Sequence, residues 1–400
     1  MPSTLTHWRI VTEALRCLPA AEQPHATALK LKTPPGAPAD PGHDIPVLAF
    51  VGAIGPDLPY NAGITNRSTF FPSKSERANR GKSEWADLLH YNQSGAFLIE
   101  LLRAGSQVNN LDLRQKALYY ALGHATHIAG DTILHPFTNT FAGAYHHQSN
   151  TAAFNGLGVH FYSEFCNDLA TDLEFFSANP HSIVRRPWLR YLAGAHAELT
   201  HTHDGVSLLD LLKQTARSVY QLDNARMEAF GQQFLSGLQG AQTLLSWFSY
   251  YPSANVFLRF SPRISTYFAQ QTIAAADGQG SQTLTFPQVR TFATRVGGRL
   301  CSLTAAYYAD LTAGLPADGE SYTRLRHDLR DWNLDTGYAL DQTRSDGDAE
   351  QRMPTLTLRH SWYHFLPLRS GLSADEPVGL PTNSAHRADD AAQAPVDARE

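Results

Sequence analysis

Three side chains of metal-binding types recur at four-residue intervals near the middle of the chain, where His127, Asp131 and His135 form the pattern His-x3-Asp-x3-His. Steps of four residues keep side chains on one face of a helix, with neighbouring Cβ atoms about 6 Å apart. The residues between them are mostly apolar, so this face points into protein. A second pair with the same spacing, His160 and Glu164, lies further along the chain. Two neighbouring helices with such faces are predicted to hold a buried zinc cluster.

The composition favours metal chemistry and argues against several other classes. Ten of the 18 histidines lie between His124 and His203. A net charge of −5 and a pI near 6.4 do not indicate the excess of basic residues that binding to nucleic acid requires, so no nucleic acid partner is expected. The three cysteines are far apart in the sequence and predict neither a disulfide framework nor a zinc knuckle.

No part of the sequence predicts a membrane span or a secretory signal. No window approaches the ~18 uninterrupted apolar residues that a transmembrane helix needs. The first residues also lack the basic start and apolar core of a signal peptide. We therefore expect a cytoplasmic protein, with export or injection by a route without a cleavable signal as the alternative.

Helical periodicity predicts an all-α fold with many helices and at most short β pieces. His7 lies on a predicted short helix over residues 4–18, and His90 on a helix over 84–104. The central helix is predicted over 113–134, ending near Pro136, and Asp57 follows an apolar segment at a Gly-Pro break. Further helices are predicted over 159–176, 207–225, 232–249, 287–311 and 320–345, and residues 355–360 alternate like a strand.

The chain is predicted to consist of a catalytic domain, an extension and a tail. The helical domain covers residues 1–315 and includes a loop-rich insertion at about 178–205. A C-terminal extension follows over 316–369. From residue 370 to 400 the sequence is rich in Ala, Asp, Pro and Ser, and it has too few large apolar side chains to offset its ordering entropy, so this tail is expected to be disordered.

The order of these residues resembles the zinc-dependent phospholipase C family. That family includes the bacterial phosphatidylcholine-preferring enzymes, the catalytic part of the alpha-toxins and the related domain of glycosylphosphatidylinositol-specific phospholipase D. The resemblance spans roughly residues 4–175 and rests on the following motifs: Thr6-His7-Trp8-Arg9-Ile10-Val11, Gly52-Ala53-Ile54-Gly55-Pro56-Asp57, His90, the His-x3-Asp at 127–131 and the His-x3-Glu at 160–164. The place of His135 is similar to that in the phospholipase D branch, whereas the secreted bacterial enzymes have this histidine two residues later.

The resemblance implies three zinc ions in a fixed arrangement of ligands. The implied sets are Asp57, His90, His127 and Asp131 for one ion, His135, His160 and Glu164 for another, and His7 with a bridging Asp131 for the third. Asp57 is the candidate general base, because residues 1–6 contain no Asp or Glu. The implied reaction is hydrolysis of the glycerol-side phosphate ester of phospholipids at a membrane surface, with phosphatidylcholine as the leading substrate and diacylglycerol and a phosphorylated head group as products.

Several neighbouring residues have two interpretations. His146 and His147 are alternatives to His135 as a ligand, and His124 is interpreted as a supporting or core residue. Three aromatic residues near the Asp57 loop are candidates for a wall that binds a quaternary ammonium by cation–π attraction, although packing is the common role of such residues. They are Tyr60, Phe70 and Phe71.

Two other functions are compatible with a zinc cluster on helices. The first is a single-strand nuclease with three zinc ions, which typically carries an N-terminal tryptophan ligand and disulfides that this sequence lacks. The second is a zinc-stabilised effector scaffold without catalysis, against which the complete set of ligand types argues.

Overall fold

The computed structural model describes residues 4–18, 45–64, 83–142, 167–168, 171, 191–248, 271–274, 281–284, 286–334, 337–339 and 364–365 of the chain. These residues form ten α-helices, one 3-10 turn and two small hairpins, which confirms the all-α class. The helices are α1 (Thr4–Arg16), α2 (Val47–Ala53), α3 (Glu84–Tyr91), α4 (Ser94–Gln107), α5 (Leu111–Ala142), α6 (Ala195–Thr200), α7 (Leu208–Tyr220), α8 (Asn224–Phe248), α9 (Phe286–Thr312) and α10 (Glu320–Leu329). The antiparallel strand pairs are β1 (Gln271–Ala274) with β2 (Ser281–Leu284), and β3 (Trp332–Asn333) with β4 (Tyr338–Ala339).

Helix α5 lies at the centre of the core. Helices α9 and α2 pack along it, and α1 contacts α5, α9 and α2. Leu122, Ala125, Ile128 and Ile133 of α5 have no exposed surface. A helix that is apolar on most of its sides is buried in this way, so polar side chains on it must find partners inside the protein.

Two glycines allow α2 and α5 to approach until their backbones touch. A Cβ atom on Gly52 would lie 2.1 Å from the carbonyl oxygen of Tyr120, and one on Gly123 would lie 2.1 Å from that of Ala49. Neither position can therefore hold a side chain without separating the helices. The close approach brings the C-terminal end of α2, and the turn with Asp57 that follows it, against the middle of α5.

The segment predicted as one helix over 84–104 is divided into α3 and α4. Gln93 adopts a left-handed conformation with φ of 49°, which interrupts the helix directly after His90. A continuous helix would use the carbonyl of His90 for its own ladder. In the structure that carbonyl instead accepts a hydrogen bond from the amide of Leu334 at 2.9 Å.

Other helix ends also differ from the prediction. The break between the helices predicted over 207–225 and 232–249 lies earlier in the chain than expected. Gln221 is left-handed with φ of 53° and ends α7, and the side chain of Asp223 accepts a hydrogen bond from the amide of Arg226 at the start of α8.

Helix α5 continues through Pro136 to Ala142, beyond its predicted end. Proline inside a helix is costly, and burial of Phe137 and its neighbours offsets that cost. The polar helix predicted over 320–345 ends at Leu329 and is followed by the β3–β4 hairpin.

Some predicted elements fall outside the described residues. Of the helix predicted over 159–176 the structure describes three positions, all helical, and the strand predicted over 355–360 and the tail lie outside. The domain boundary near residue 315 stays a prediction. Within the described part of the chain, no helix combines the length and apolar character that crossing a membrane requires.

Candidate metal centre

Five of the predicted ligands meet in one buried cluster. Helix α1 provides His7, the turn after α2 provides Asp57, the last turn of α3 provides His90, and α5 provides His127 and Asp131. None of the five is more than 3 % exposed. Three imidazoles and two carboxylates from four segments thus share a space from which water is largely excluded.

Asp131 is the hub of this cluster, because its two oxygens face different histidines. Its Oδ1 lies 3.0 Å from Nε2 of His7 and 3.6 Å from Nε2 of His135. Its Oδ2 lies 3.1 Å from Nε2 of His127 and 3.4 Å from Nε2 of His90. One carboxylate therefore joins two pairs of imidazole nitrogens, which is the arrangement of a bridging ligand.

Backbone carbonyls fix the tautomers of His90 and His127. Nδ1 of His90 lies 2.7 Å from the carbonyl oxygen of Ala86, and Nδ1 of His127 lies 3.0 Å from that of Ala53. Each Nδ1 must carry a hydrogen to make these bonds, so in the neutral rings each Nε2 presents a lone pair. The two Nε2 atoms are 3.3 Å apart. Two lone pairs at that distance repel each other unless a cation or a proton lies beside them.

The pKa values of these groups reflect the same requirement for positive charge. Burial by itself lowers the pKa of His90, but hydrogen bonds and the charges of Asp131 and Asp57 outweigh burial and raise it well above its usual value. Burial raises the pKa of Asp131, yet the neighbouring imidazoles, His127 and His135 first, hold it well below its usual range. Asp131 thus stays ionised and attracts either protons or metal to the imidazoles around it.

The residues present fit zinc. Two buried atoms of the cluster make no hydrogen bond with the described residues: Nδ1 of His7 and Oδ2 of Asp57. Two triads have their ligand atoms within 4.8 Å of one another, and they are His7, Asp57 and His127, and His90, His127 and Asp131. Imidazole nitrogen and carboxylate oxygen are common zinc ligands, and a bound cation would satisfy atoms that are otherwise unpaired in the core.

Gly130 and Asp168 help to position His7 and its helix, and neither residue was predicted from the sequence. A Cβ atom on Gly130 would lie 2.8 Å from both Cε1 and Nδ1 of the His7 ring, so only glycine leaves room for that ring. Oδ1 of Asp168 accepts a hydrogen bond of 3.0 Å from the amide of Thr6 in the first turn of α1. A carboxylate is favourable at a helix N-terminus. The glycine beside Asp131 was a signal in the sequence, whereas nothing in the spacing linked residue 168 to α1.

Two further candidates lie next to the cluster. His124 is fully buried, with its ring 5.3 Å from that of Phe97, and neither ring nitrogen has a partner among the described residues. Burial lowers the pKa of His124 well below its usual value, so it is neutral and part of the core. The ring of Tyr60 lies 5.4 Å from that of His90, and its hydroxyl donates a bond of 2.7 Å to Asp87.

The remaining predicted site residues lie outside the described part of the chain. They are His160, Glu164, Phe70 and Phe71, together with the alternative ligands His146 and His147. His135 is described, with a side chain 12 % exposed at the edge of the cluster. The ligand set of His135, His160 and Glu164 therefore stays a prediction.

A family model described as zinc dependent phospholipase C matches residues 6–206, which is half of the chain and includes every residue of the cluster. No curated protein and no solved structure matches the chain at a significant level.

Proposed function

The chain belongs to the zinc-dependent phospholipase C family, and from this premise we propose that it hydrolyses the glycerol-side phosphodiester of phospholipids. Phosphatidylcholine is the favoured substrate, and the products are diacylglycerol and the phosphorylated head group. Membership of this family indicates a zinc hydrolase, and the choice of bond and head group is our proposal. The enzyme would act peripherally, at a membrane surface.

The observation that carries the proposal is the buried cluster around Asp131. Its two oxygens face separate pairs of imidazoles, which supports two neighbouring metal positions joined by one carboxylate. We propose that one zinc is held by Asp57, His90, His127 and Asp131, one by His7 with Asp131, and a third by His135, His160 and Glu164. Zinc ions in such a cluster supply electrophilic stabilisation of a phosphodiester and make water more acidic.

Asp57 is the residue that we propose as the general base. Its Oδ1 lies 3.1 Å from Nε2 of His90, which fixes the orientation of the carboxylate. Its Oδ2 accepts no hydrogen bond from the described residues, so this oxygen is available to take a proton from water. The side chain is 2 % exposed, and low exposure excludes bulk water from the reacting phosphate.

Tyr60 is the described residue that supports recognition of a choline head group. Its ring lies next to the ring of His90, and the hydrogen bond from its hydroxyl to Asp87 fixes the position of the ring. An aromatic face attracts a quaternary ammonium through its quadrupole. Phe70 and Phe71 would complete this wall.

Turnover of defined phosphodiesters tests the proposal. Purified protein is incubated with phosphatidylcholine vesicles, and diacylglycerol and phosphocholine are measured with and without a chelator. We expect both products in equal amounts, loss of activity with the chelator and recovery with added zinc. Asp57→Asn is expected to lose most turnover, whereas Asp204→Asn, an exposed carboxylate elsewhere, is the matched control.

Three outcomes would contradict the proposal in different ways. Cleavage of single-stranded DNA without phospholipid cleavage would indicate that the protein is a single-strand nuclease. Bound zinc without turnover of either substrate would indicate a scaffold. Release of phosphatidic acid would place the cleavage on the head-group side of the phosphate. A cytoplasmic location also stays a prediction, which cell fractionation tests.

A further inference from the structure

A second group of metal-binding side chains lies outside the candidate metal centre, where the end of α10 meets residues 364–365. Nδ1 of His327 lies 2.9 Å from Oδ1 of Asp328, and Nε2 of His364 lies 3.1 Å from the same oxygen. The three ligand atoms lie within 4.8 Å of one another, and the two imidazole rings are 4.9 Å apart. None of these residues is in the ligand set that the sequence predicts.

The carboxylate of Asp328 is held from two sides, by the two imidazoles and by an arginine. The second oxygen of Asp328 is bound by the guanidinium of Arg299 from α9, so Oδ1 is the oxygen that faces the two imidazoles. Burial, together with the charge of Arg330, lowers the pKa of His364 despite the hydrogen bond to Asp328. A neutral imidazole is the form that binds metal.

Aromatic packing holds His364 in place. Its ring contacts Trp332 at 5.6 Å and Phe365 at 4.7 Å, both edge to face. The indole Nε1 of Trp332 donates a bond of 3.1 Å to the carbonyl of Asp328. The position of His364 relative to the carboxylate is thus fixed by a buried tryptophan, and Arg299 orients the carboxylate from the other side. Such supporting contacts are typical of metal ligands.

We propose that His327, Asp328 and His364 bind a divalent transition-metal cation, with zinc as the best match to two imidazoles and a carboxylate. The ligand atoms are Nδ1 of His327, Oδ1 of Asp328 and Nε2 of His364, and water completes the coordination. One ligand comes from residue 364 and two from the last turn of α10, so the cation fastens the end of the described chain to that helix. We call His327, Asp328 and His364 the clasp. Its role is structural, because it joins residue 364 to α10.

The clasp is connected to the candidate metal centre through the hairpin that follows α10. The carbonyl of Trp332 accepts a bond of 2.9 Å from the hydroxyl of Ser94, at the start of α4. Two residues further, the amide of Leu334 donates to the carbonyl of His90. A cation that holds Trp332 through His364 therefore stabilises the segment that supports the end of α3.

Counting bound zinc in matched variants tests the clasp. Full-length protein is stripped with a chelator, dialysed against zinc at equilibrium and analysed for metal. His327→Ala suits this test because its side chain is 58 % exposed and its loss should not unfold the chain. We expect this variant and His364→Ala to bind one zinc fewer than the unmodified protein. His196→Ala, an exposed histidine on α6, should bind the same number.

A second comparison separates the clasp from the catalytic cluster. In the background of His127→Ala, which disrupts that cluster, adding His327→Ala should still remove one further zinc. Zinc should also raise the melting temperature of the unmodified protein more than that of His327→Ala. If His327→Ala and His364→Ala bind as much zinc as the unmodified protein, the three residues form an ion-pair network only and the proposal is wrong.

Discussion

At the scale of single residues, the candidate centre depends on how each imidazole is held before any metal arrives. Ala53 and Ala86 accept hydrogen bonds from His127 and His90, so both Nε2 atoms point into the cluster. His7 has a different support, because its ring lies against a position without a side chain. The orientation of the ligands is therefore set by backbone atoms and by one glycine.

Replacement of that glycine gives the first prediction. In Gly130→Ala the new Cβ would lie 2.8 Å from two atoms of the His7 ring, so the ring must move. A displacement of about 1 Å in a catalytic site lowers turnover by up to roughly 100-fold. We expect such a loss in kcat together with weaker zinc binding, in a protein whose circular dichroism is unchanged.

Gly231→Ala is the control for this substitution. Its Cβ would meet the flexible side chain of Lys213, which can move aside at little cost. Normal kcat and zinc content in Gly130→Ala would show that the position of His7 does not matter for the centre.

The second prediction concerns His135. Because α5 continues past Pro136, His135 stays on the face of Asp131, with its Nε2 3.6 Å from Oδ1. We expect His135→Ala to lose one zinc and most turnover, as measured by elemental analysis and phosphatidylcholine hydrolysis. His146→Ala and His147→Ala should keep both, and the reverse result would assign the ligand to one of them.

The sequence indicated that His127 and Asp131 share one face of a helix, because spacing of four residues on one helix is a local property, and the structure has the two side chains in contact. It did not predict Gly130 as the space for His7, or Asp168 at the start of α1, since both contacts join residues distant in sequence. Thr6 and Asp168 are separated by 162 positions. Chemistry carried by residue type is visible in a sequence, whereas the contacts that position it depend on the whole fold.

At the scale of elements, the helices were predicted from periodicity, but the break at Gln93 was not, and the break predicted between residues 225 and 232 lies earlier, at Gln221. Gln93 and Gln221 both adopt left-handed conformations that are more typical of glycine. A glutamine carries no local signal for such a conformation, and tertiary contacts decide it. The interruption at Gln93 matters most, because it releases the carbonyl of His90 for Leu334.

Helix capping gives the third prediction. Ser207 caps α7, because its hydroxyl oxygen accepts a hydrogen bond of 3.1 Å from the amide of Asp210. The carboxylate of Asp210 in turn accepts a hydrogen bond of 3.1 Å from the amide of Ser207. Loss of such a cap in Ser207→Ala costs about 1 kcal/mol of the free energy of unfolding. Urea denaturation at pH 7 should measure this loss.

The same cap predicts a dependence on pH. Burial opposes ionisation of Asp210, but the hydrogen bonds from Ser207 together with the charge of Lys213 outweigh burial and lower the pKa of Asp210. The stability that this carboxylate provides is therefore present above its ordinary pKa of about 3.9, and it is lost as pH falls through the lower folded value. The cost of Ser207→Ala should shrink below about pH 4. An equal cost at all pH values would contradict this, and Gln214→Ala on the exposed face of α7 serves as control.

At the scale of the whole molecule, the chain beyond α9 packs back onto the catalytic helices. The side chain of Asp331 accepts a hydrogen bond of 2.9 Å from the amide of Ala96 in α4. Phe365 is 2 % exposed and packs against Trp332. The C-terminal extension is thus part of the structure that supports α4. The composition from residue 370 onward gives no reason to expect a similar role for the tail.

Two truncations give the fourth prediction. A chain ending at residue 369 should fold, bind zinc and turn over phospholipid as the full chain does. A chain ending at residue 362 loses Phe365, and exposing the surface that this side chain covers should cost ~2 kcal/mol of the free energy of unfolding. Denaturation of the two proteins side by side measures the difference, and equal midpoints would contradict a role for residues 364–365.

The hydrogen bond from Ser94 to Trp332 also has a consequence for synthesis. The two residues are 238 positions apart. A ribosome adding ~5–20 residues per second needs roughly 10–50 s to cover that distance. During this time the histidine-bearing helices have left the ribosome, while the hairpin that supports His90 does not yet exist. A nascent chain can therefore bring its first candidate zinc ligands together well before the hairpin that supports His90 has been made.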